Sequence, residues 1–333
     1  MAATLIDIND VEIRIYRNGS VFASPGVAHL DNNGMVFGEA ARAMLRFKPQ
    51  DGFDKYWAQL DDVPLSKRYR GVRHHADLAY HHLHFLLTEH GPFEEVIFLV
   101  PGDYNRAKLS MLLGIAKALS LDVKGIVDSA VANVAALELG PRDVQFLDQS
   151  LHRTIVSQLV ISEKIRFSGL QTLERSGKNH LSDIVMNWIA DCFLDQARFD
   201  PLQDAASEQL MFGQLDEWLT QLREAAHINI GLELHGRLHE ISLARADLIK
   251  ILSPAFAALA TPLRDSAQVV LSHHFAIYPQ ELLSTLNAIV AAEQAAFNTI
   301  MDNLPGVISP SGEVALVRSM RALPVVDRVK NGT

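Results

Sequence analysis

Apolar residues run unbroken through positions 96–100 and stop at Pro101-Gly102, a pattern that predicts a strand buried on both faces. Beyond it, Leu109, Leu112, Leu113, Ala116 and Leu119 recur at helical spacing while Lys108 and Lys117 fall off the stripe, predicting a helix with one buried face. A short apolar strand over 123–127 follows, then a second helix rich in Ala, Val and Leu that runs out at Gly140-Pro141. Strand, helix, strand and helix with short joints are the elements of a layered α/β domain.

The N-terminus adds a meander. Residues 4–8 read as a strand, 11–16 alternate with the period of a half-buried strand, and Asn9-Asp10 makes a tight turn between them. Asn18-Gly19 turns the chain into a third strand over 20–23. The same unit recurs after Gly140-Pro141-Arg142: a strand over 143–147 ending at Asp148, a second over 154–162 and a third over 164–173. A repeated unit predicts two similar lobes facing each other across a cleft, 1–141 and 142–304.

Between the repeats, the pattern predicts a helix over 36–48, a loop-rich insertion over 50–70 and a helix over 77–89 carrying Leu78, Phe85 and Leu86. After them come helices over 181–199 and 205–226, strands over 228–234 and 238–241, and a helix over 244–264 kinked at Pro254. A strand over 268–271 and a helix started by Pro279 follow. A last helix, initiated at Ser309-Pro310-Ser311-Gly312-Glu313 within 305–322, is expected to return to the first lobe, leaving 323–333 as a tail.

Composition narrows the function. A chain of 333 residues with 48% hydrophobic content can bury a sizeable core. A net charge of -9 without a basic stripe argues against a nucleic-acid partner. No segment approaches the ~20 continuous apolar residues of a membrane span, and the N-terminus lacks the positive region of a signal peptide. Cys192 is the single cysteine, so no internal disulfide forms, and a reducing compartment, most simply the cytoplasm, is expected.

Histidines supply one candidate chemistry. In RHHADLAYHHLH, His74, Asp77, His81 and His84 share a helix face, and such a set can ligate a transition metal. The competing reading is a solvated face of neutral imidazoles, since no remote ligand can be identified. On that reading no stoichiometric metal is expected; on the other, the helix would serve a metal-dependent enzyme.

A second chemistry comes from resemblance. Val100, Pro101, Tyr104, Asn105, Gly114, Ala116, Leu121, Val123, Ile126 and the alanines 132, 135 and 136 match in order a segment of DnaK-type heat-shock chaperones. Val36, Gly38, Glu39, Ala40, Ala41 and Pro49 are similar to another segment of the same family. The resemblance covers residues 4–322 and implies an actin-like, two-lobed ATPase fold without the peptide-binding domain. It also implies an ATP and Mg²⁺ site in the cleft, where Gly-rich hairpins bring backbone amides to the phosphates.

Those hairpins are altered here. The family's Asp-x-Gly-Thr-Thr stands as Asp7-Ile8-Asn9-Asp10-Val11, and Asp-x-Gly-Gly-Gly-Thr as Asp148-Gln149-Ser150-Leu151-His152-Arg153. The catalytic Glu falls at Ser129 beside Asp128. The adenosine-loop glycines fall at His273 and His274, and the adenine-contacting Glu and Lys near Glu217 and Thr220-Gln221. Asp7 and Asp148 remain open to two readings, as holders of Mg²⁺ through water or as strand-end turn carboxylates. The resemblance therefore implies a degenerate nucleotide site around Asp7, Asp10, Asp148, His152, His273 and His274. The expected function is a non-catalytic, chaperone-like interaction or scaffold module, binding protein partners or itself, with no cofactor or only weakly held ATP and Mg²⁺. A slowly hydrolysing ATPase, with Asp7 and Asp148 as its catalytic carboxylates, is the alternative.

Overall fold

The computed structural model describes residues 3–31, 34–234, 236–308 and 313–323. The chain is a mixed α/β protein containing two six-stranded sheets and three small ones. In the first large sheet, β1 (Ala3–Ile8), β2 (Ile13–Arg17) and β3 (Ser20–Ser24) form an antiparallel meander. Two further strands, β4 (Glu95–Val100) and β5 (Asp122–Asp128), continue parallel from the other side of β1. The second sheet repeats this plan. An antiparallel meander of β6 (Arg142–Gln149), β7 (Arg153–Ile161) and β8 (Lys164–Glu174) is extended in parallel by β9 (Gln268–Leu271) and β10 (Ala288–Val290). The expected repeat of the meander is thus present, and five strands of the two sheets share one order and one polarity, while the sixth lies at opposite edges.

Alternation along the strands sorts side chains into layers. Ile6, Ile8, Val96, Phe98 and Val100 join a core under helices α1 (His75–His90) and α2 (Arg106–Ala118). Their neighbours Leu5, Ile97 and Leu99 face the opposite way. There they meet Val144, Phe146 and Leu159 of the second sheet together with α3 (Ser129–Ala135) and Phe297. The second sheet's other face packs Leu147, Val156 and Leu271 on α4 (Lys178–Ala197), α5 (Ala205–Glu224) and α6 (Arg245–Ala260). Period-2 alternation with apolar residues on both faces is what a sheet covered twice requires.

Three expectations are corrected. The last helix expected within 305–322 is not seen among its described residues: helical structure ends with Leu304–Val307, and the chain from 313 on carries β11 (Leu316–Val317) and β12 (Ser319–Arg321). The initiating residues 309–312 lie outside the described residues. β11 pairs with β5 of the first sheet and β12 with β8 of the second, so one short segment satisfies the open backbone groups of two sheet edges. The helix expected over 36–48 is confined to Gly38–Arg42, because Gly34–Phe37 is a strand paired with Ala28–Asp31. The insertion over 50–70 contains a helical turn, Tyr56–Gln59, whose Tyr56 and Trp57 are buried in the first core. No helix among the described residues is long and apolar enough to cross a membrane.

Candidate functional site

The ends of β1 and β6 meet where the two meanders turn. Asp7 and Asp148 are each the penultimate residue of their strand, and each hairpin loop is four residues long, pairing Ile8 with Ile13 and Gln149 with Thr154. The loops bond directly to each other. Asn9 Nδ2 donates to Asp148 Oδ1 at 3.0 Å and to the Gln149 carbonyl at 3.1 Å. Asp10 Oδ1 accepts from the Ser150 hydroxyl at 2.6 Å and from the Leu151 N–H at 2.8 Å. A backbone amide and a hydroxyl of the second hairpin are therefore taken by a side-chain carboxylate of the first.

The two strand-end carboxylates differ through one residue. Opposite Asp7 in the hairpin register stands Arg14, opposite Asp148 stands Ile155. Arg14 is buried, donates from Nη2 to Asp7 Oδ2 at 2.6 Å and from Nη1 to the Glu293 carbonyl at 2.8 Å, and lies over the Phe297 ring. Asp148 forms no ion pair among the described residues, although the Arg14 charge also reaches it. Burial, reinforced by the charge of Asp7, pushes its carboxyl well above the ordinary range, which favours the neutral acid. Burial also raises Asp10, outweighing the hydrogen bonds from Ser150 and Leu151.

Two glycines hold the loops in place. A methyl group on Gly26 would meet the Asp10 carbonyl oxygen, and one on Gly177 would meet the Arg153 nitrogen and the His152 backbone, all closer than non-bonded contact permits. Because the obstructing atoms are backbone, neither clash is relieved by a rotamer change. Gly26→Ala and Gly177→Ala are each expected to cost about 1–3 kcal/mol or more in urea unfolding, against a Gly114→Ala control, mid-helix with open space, that should stabilise by about 0.5–1 kcal/mol.

A small cleft, with a cavity volume of about 90 Å³, opens beside the loops, lined among others by Glu12, Arg42, Asp54, Lys178, Phe212 and Asp216. Asp216 accepts from Arg42 at 2.9 Å and from Lys178 at 2.8 Å, so both cations are held by a carboxylate. Burial would raise Asp216, but the charges of Lys178 and Arg42 outweigh it and keep the carboxyl low. The cleft face of α5 is Phe212, Leu215 and Asp216, while Glu217 and Gln221 bond to each other on the outside. His152 sits at the second loop with Nε2 3.1 Å from Asp54 Oδ2.

His273 and His274 open a short 3₁₀ turn, His273–Ile277, directly after β9. Their rings lie 3.9 Å apart, and His273 Nε2 is 3.2 Å from Glu12 Oε1 of the first hairpin. Burial, with the neighbouring His273, pushes His274 down to about 3. For Glu12 burial acts upward, but the two imidazoles outweigh it and hold the carboxyl far below its usual range.

The histidine helix does not gather its candidates. His74 caps α1 by accepting from the Asp77 N–H, Asp77 is clamped by Arg73, His81 reaches the Gly71 carbonyl, and His84 stacks on Tyr80. The histidine that matters structurally is His82, on the opposite face and fully buried. Trp57 Nε1 donates to its Nδ1 at 3.1 Å, the Tyr56 hydroxyl lies 2.7 Å from the same nitrogen, and its Nε2 is 2.9 Å from Ser24 Oγ. At the corresponding end of β5, Asp128 caps α3 through the Ala130 N–H, and burial raises it to about 6 against the pull of Arg318. Ser129 is buried beside it.

Arg14, Asn9 and Glu12 escape a reading by motif. The legible signal for Arg14 was an acid and a base placed symmetrically about the loop, which a four-residue turn makes cross-strand partners. No protein-family model matches the chain, and no curated protein matches it in sequence.

Proposed function

We propose that the chain is a non-hydrolysing, actin-like module, resembling DnaK-type ATPase domains, in which the phosphate cradle has become a hydrogen-bonded seam. The observation that carries this reading is Asp10, whose carboxylate takes the Leu151 amide and the Ser150 hydroxyl at the position where a cradle would receive phosphate oxygens. The shared strand order of the two sheets supports the fold assignment. Asp7 is paired with Arg14, and burial shifts the Asp148 carboxyl upward, toward its neutral form, which works against Mg²⁺ binding at either. With the Leu151 amide taken by Asp10, and Arg42 and Lys178 both held by Asp216, these groups are not free to supply the electrostatic stabilisation that drives phosphoryl transfer.

What remains is a rigid two-sheet body that acts through its surface, with a protein partner or a second copy as its ligand. Exposed leucines at Leu194 on α4 and at Leu238 on the strand Arg237–Ala244, which packs on α4, offer apolar contact area.

Calorimetric titration with ATP, with and without Mg²⁺, is expected to give a Kd weaker than ~100 μM, about -5.5 kcal/mol, with little dependence on Mg²⁺. Binding near ~1 μM together with turnover that Asp148→Ala abolishes would replace this reading by that of a slow ATPase.

A further inference from the structure

We propose that Glu12, His273 and His274 form a binding site for a divalent late first-row transition ion, with Zn²⁺ as the ordinary occupant. One ligand atom from each residue lies within 4.8 Å of the other two. Glu12 Oε1 is 3.2 Å from His273 Nε2 and 3.7 Å from His274 Nε2. Ligands bound to zinc at ~2.1 Å stand about 3.0–3.5 Å from one another at angles between square and tetrahedral. The trio is thus within a few tenths of an ångström of ligating geometry on the Glu12 side.

A plain hydrogen bond explains only half of the arrangement. His273 satisfies one nitrogen by donating to Glu12, but neither ring nitrogen of His274 has a hydrogen-bond partner among the described residues. His274 is buried, its side chain only 6% exposed, and 3.7 Å is too long for a hydrogen bond. Burying an imidazole with both nitrogens unpaired is costly unless something else receives a lone pair. An ion between His274 and Glu12 does so, and it converts the adjacent, mutually tilted histidine pair into two neutral donors.

Charge and access agree. Arg14 lies 3.8 Å from Glu12 but is neutralised by Asp7, leaving the Glu12 charge to attract a cation. Two imidazoles and one carboxylate suit Zn²⁺, and three protein ligands leave a position open, on a site whose Glu12 borders the cleft. Because Glu12 belongs to the first meander and the histidines follow β9, the ion would tie the two sheets together at their seam. The inference does not depend on the nucleotide reading, since zinc and ATP are titrated separately.

The test uses the tag-free full-length chain, stripped with chelator and titrated with Co²⁺ and then Zn²⁺. Expected are one Co²⁺ per chain with visible d–d absorption, displacement by Zn²⁺, and a higher Tm with Zn²⁺ than without. Glu12→Gln and His273→Asn, both at partly exposed positions and checked for native circular dichroism, should each weaken binding by at least ~10-fold. His81→Ala on the helix of unassembled histidines should leave it unchanged. No visible band up to ~1 mM Co²⁺, binding unaltered in Glu12→Gln and His273→Asn, or binding lost in His81→Ala would each overturn the proposal.

Discussion

Replacing Arg14 by methionine is expected to cost about 3–5 kcal/mol of folding stability, because it strands a buried carboxylate rather than merely removing a contact. The guanidinium serves three groups at once: Asp7 Oδ2 at 2.6 Å, the Glu293 carbonyl at 2.8 Å and the face of Phe297 at 4.8 Å. Methionine keeps much of the volume and the aliphatic stem but leaves Asp7 and Glu293 without their donor. Arg14→Lys should be milder, since an ammonium can reach one acceptor but lacks the planar fork that serves two. The double variant Asp7→Leu/Arg14→Met should recover most of the loss, as buried pairs exchanged together for apolar residues often do. Urea unfolding of all three checks this. A double variant no more stable than Arg14→Met would show that the pair is not the source of the effect.

That pair also shows how far the sequence could be read. Strands of both meanders, three of the four parallel strands beside them and the long helices stood out because buried faces impose period 2 or 3.6, whereas the short β10 was not read. The first hairpin was misread by two residues. A turn at Asn9-Asp10 alone would set Asp7 opposite Glu12, whereas the four-residue loop sets Asp7 opposite Arg14 and frees Glu12 to face the histidines. Turn length is decided by what the loop touches, here the facing hairpin, and such contacts across more than a hundred residues leave no local pattern. The same holds for β11 and β12, whose short apolar stretches become strands only because two sheet edges lie open to them. At α1 the conspicuous histidines lie outside the buried stripe, His74 and His81 half-buried and His84 exposed. Leu78, His82 and Leu86 recur every four residues on its buried side, so the informative histidine sat in the apolar stripe rather than in the polar cluster.

His82 should accordingly govern part of the pH dependence of stability. Burial lowers its imidazole to about 3, and the Trp57 indole N–H directed at Nδ1 requires that nitrogen to stay an acceptor. In the unfolded chain the same group titrates near ~6.5. Its contribution is therefore fully present above that value and is lost as pH falls toward 3, where the native protein finally accepts the proton. Asp128, raised to about 6, works in the opposite sense, its contribution being present at low pH and lost as pH rises through 6, so the raw stability curve mixes the two. The difference between wild type and His82→Gln separates them. At pH ~7 the variant should be less stable by about 2–4 kcal/mol, from buried donors left unpaired. Below pH ~6.5 that gap should close at up to ~1.4 kcal/mol per unit, because glutamine carries no titrating group. Urea midpoints of both proteins from pH 4 to 8 measure the gap, and one that stays constant across that range would mean that His82 is not held neutral in the native state.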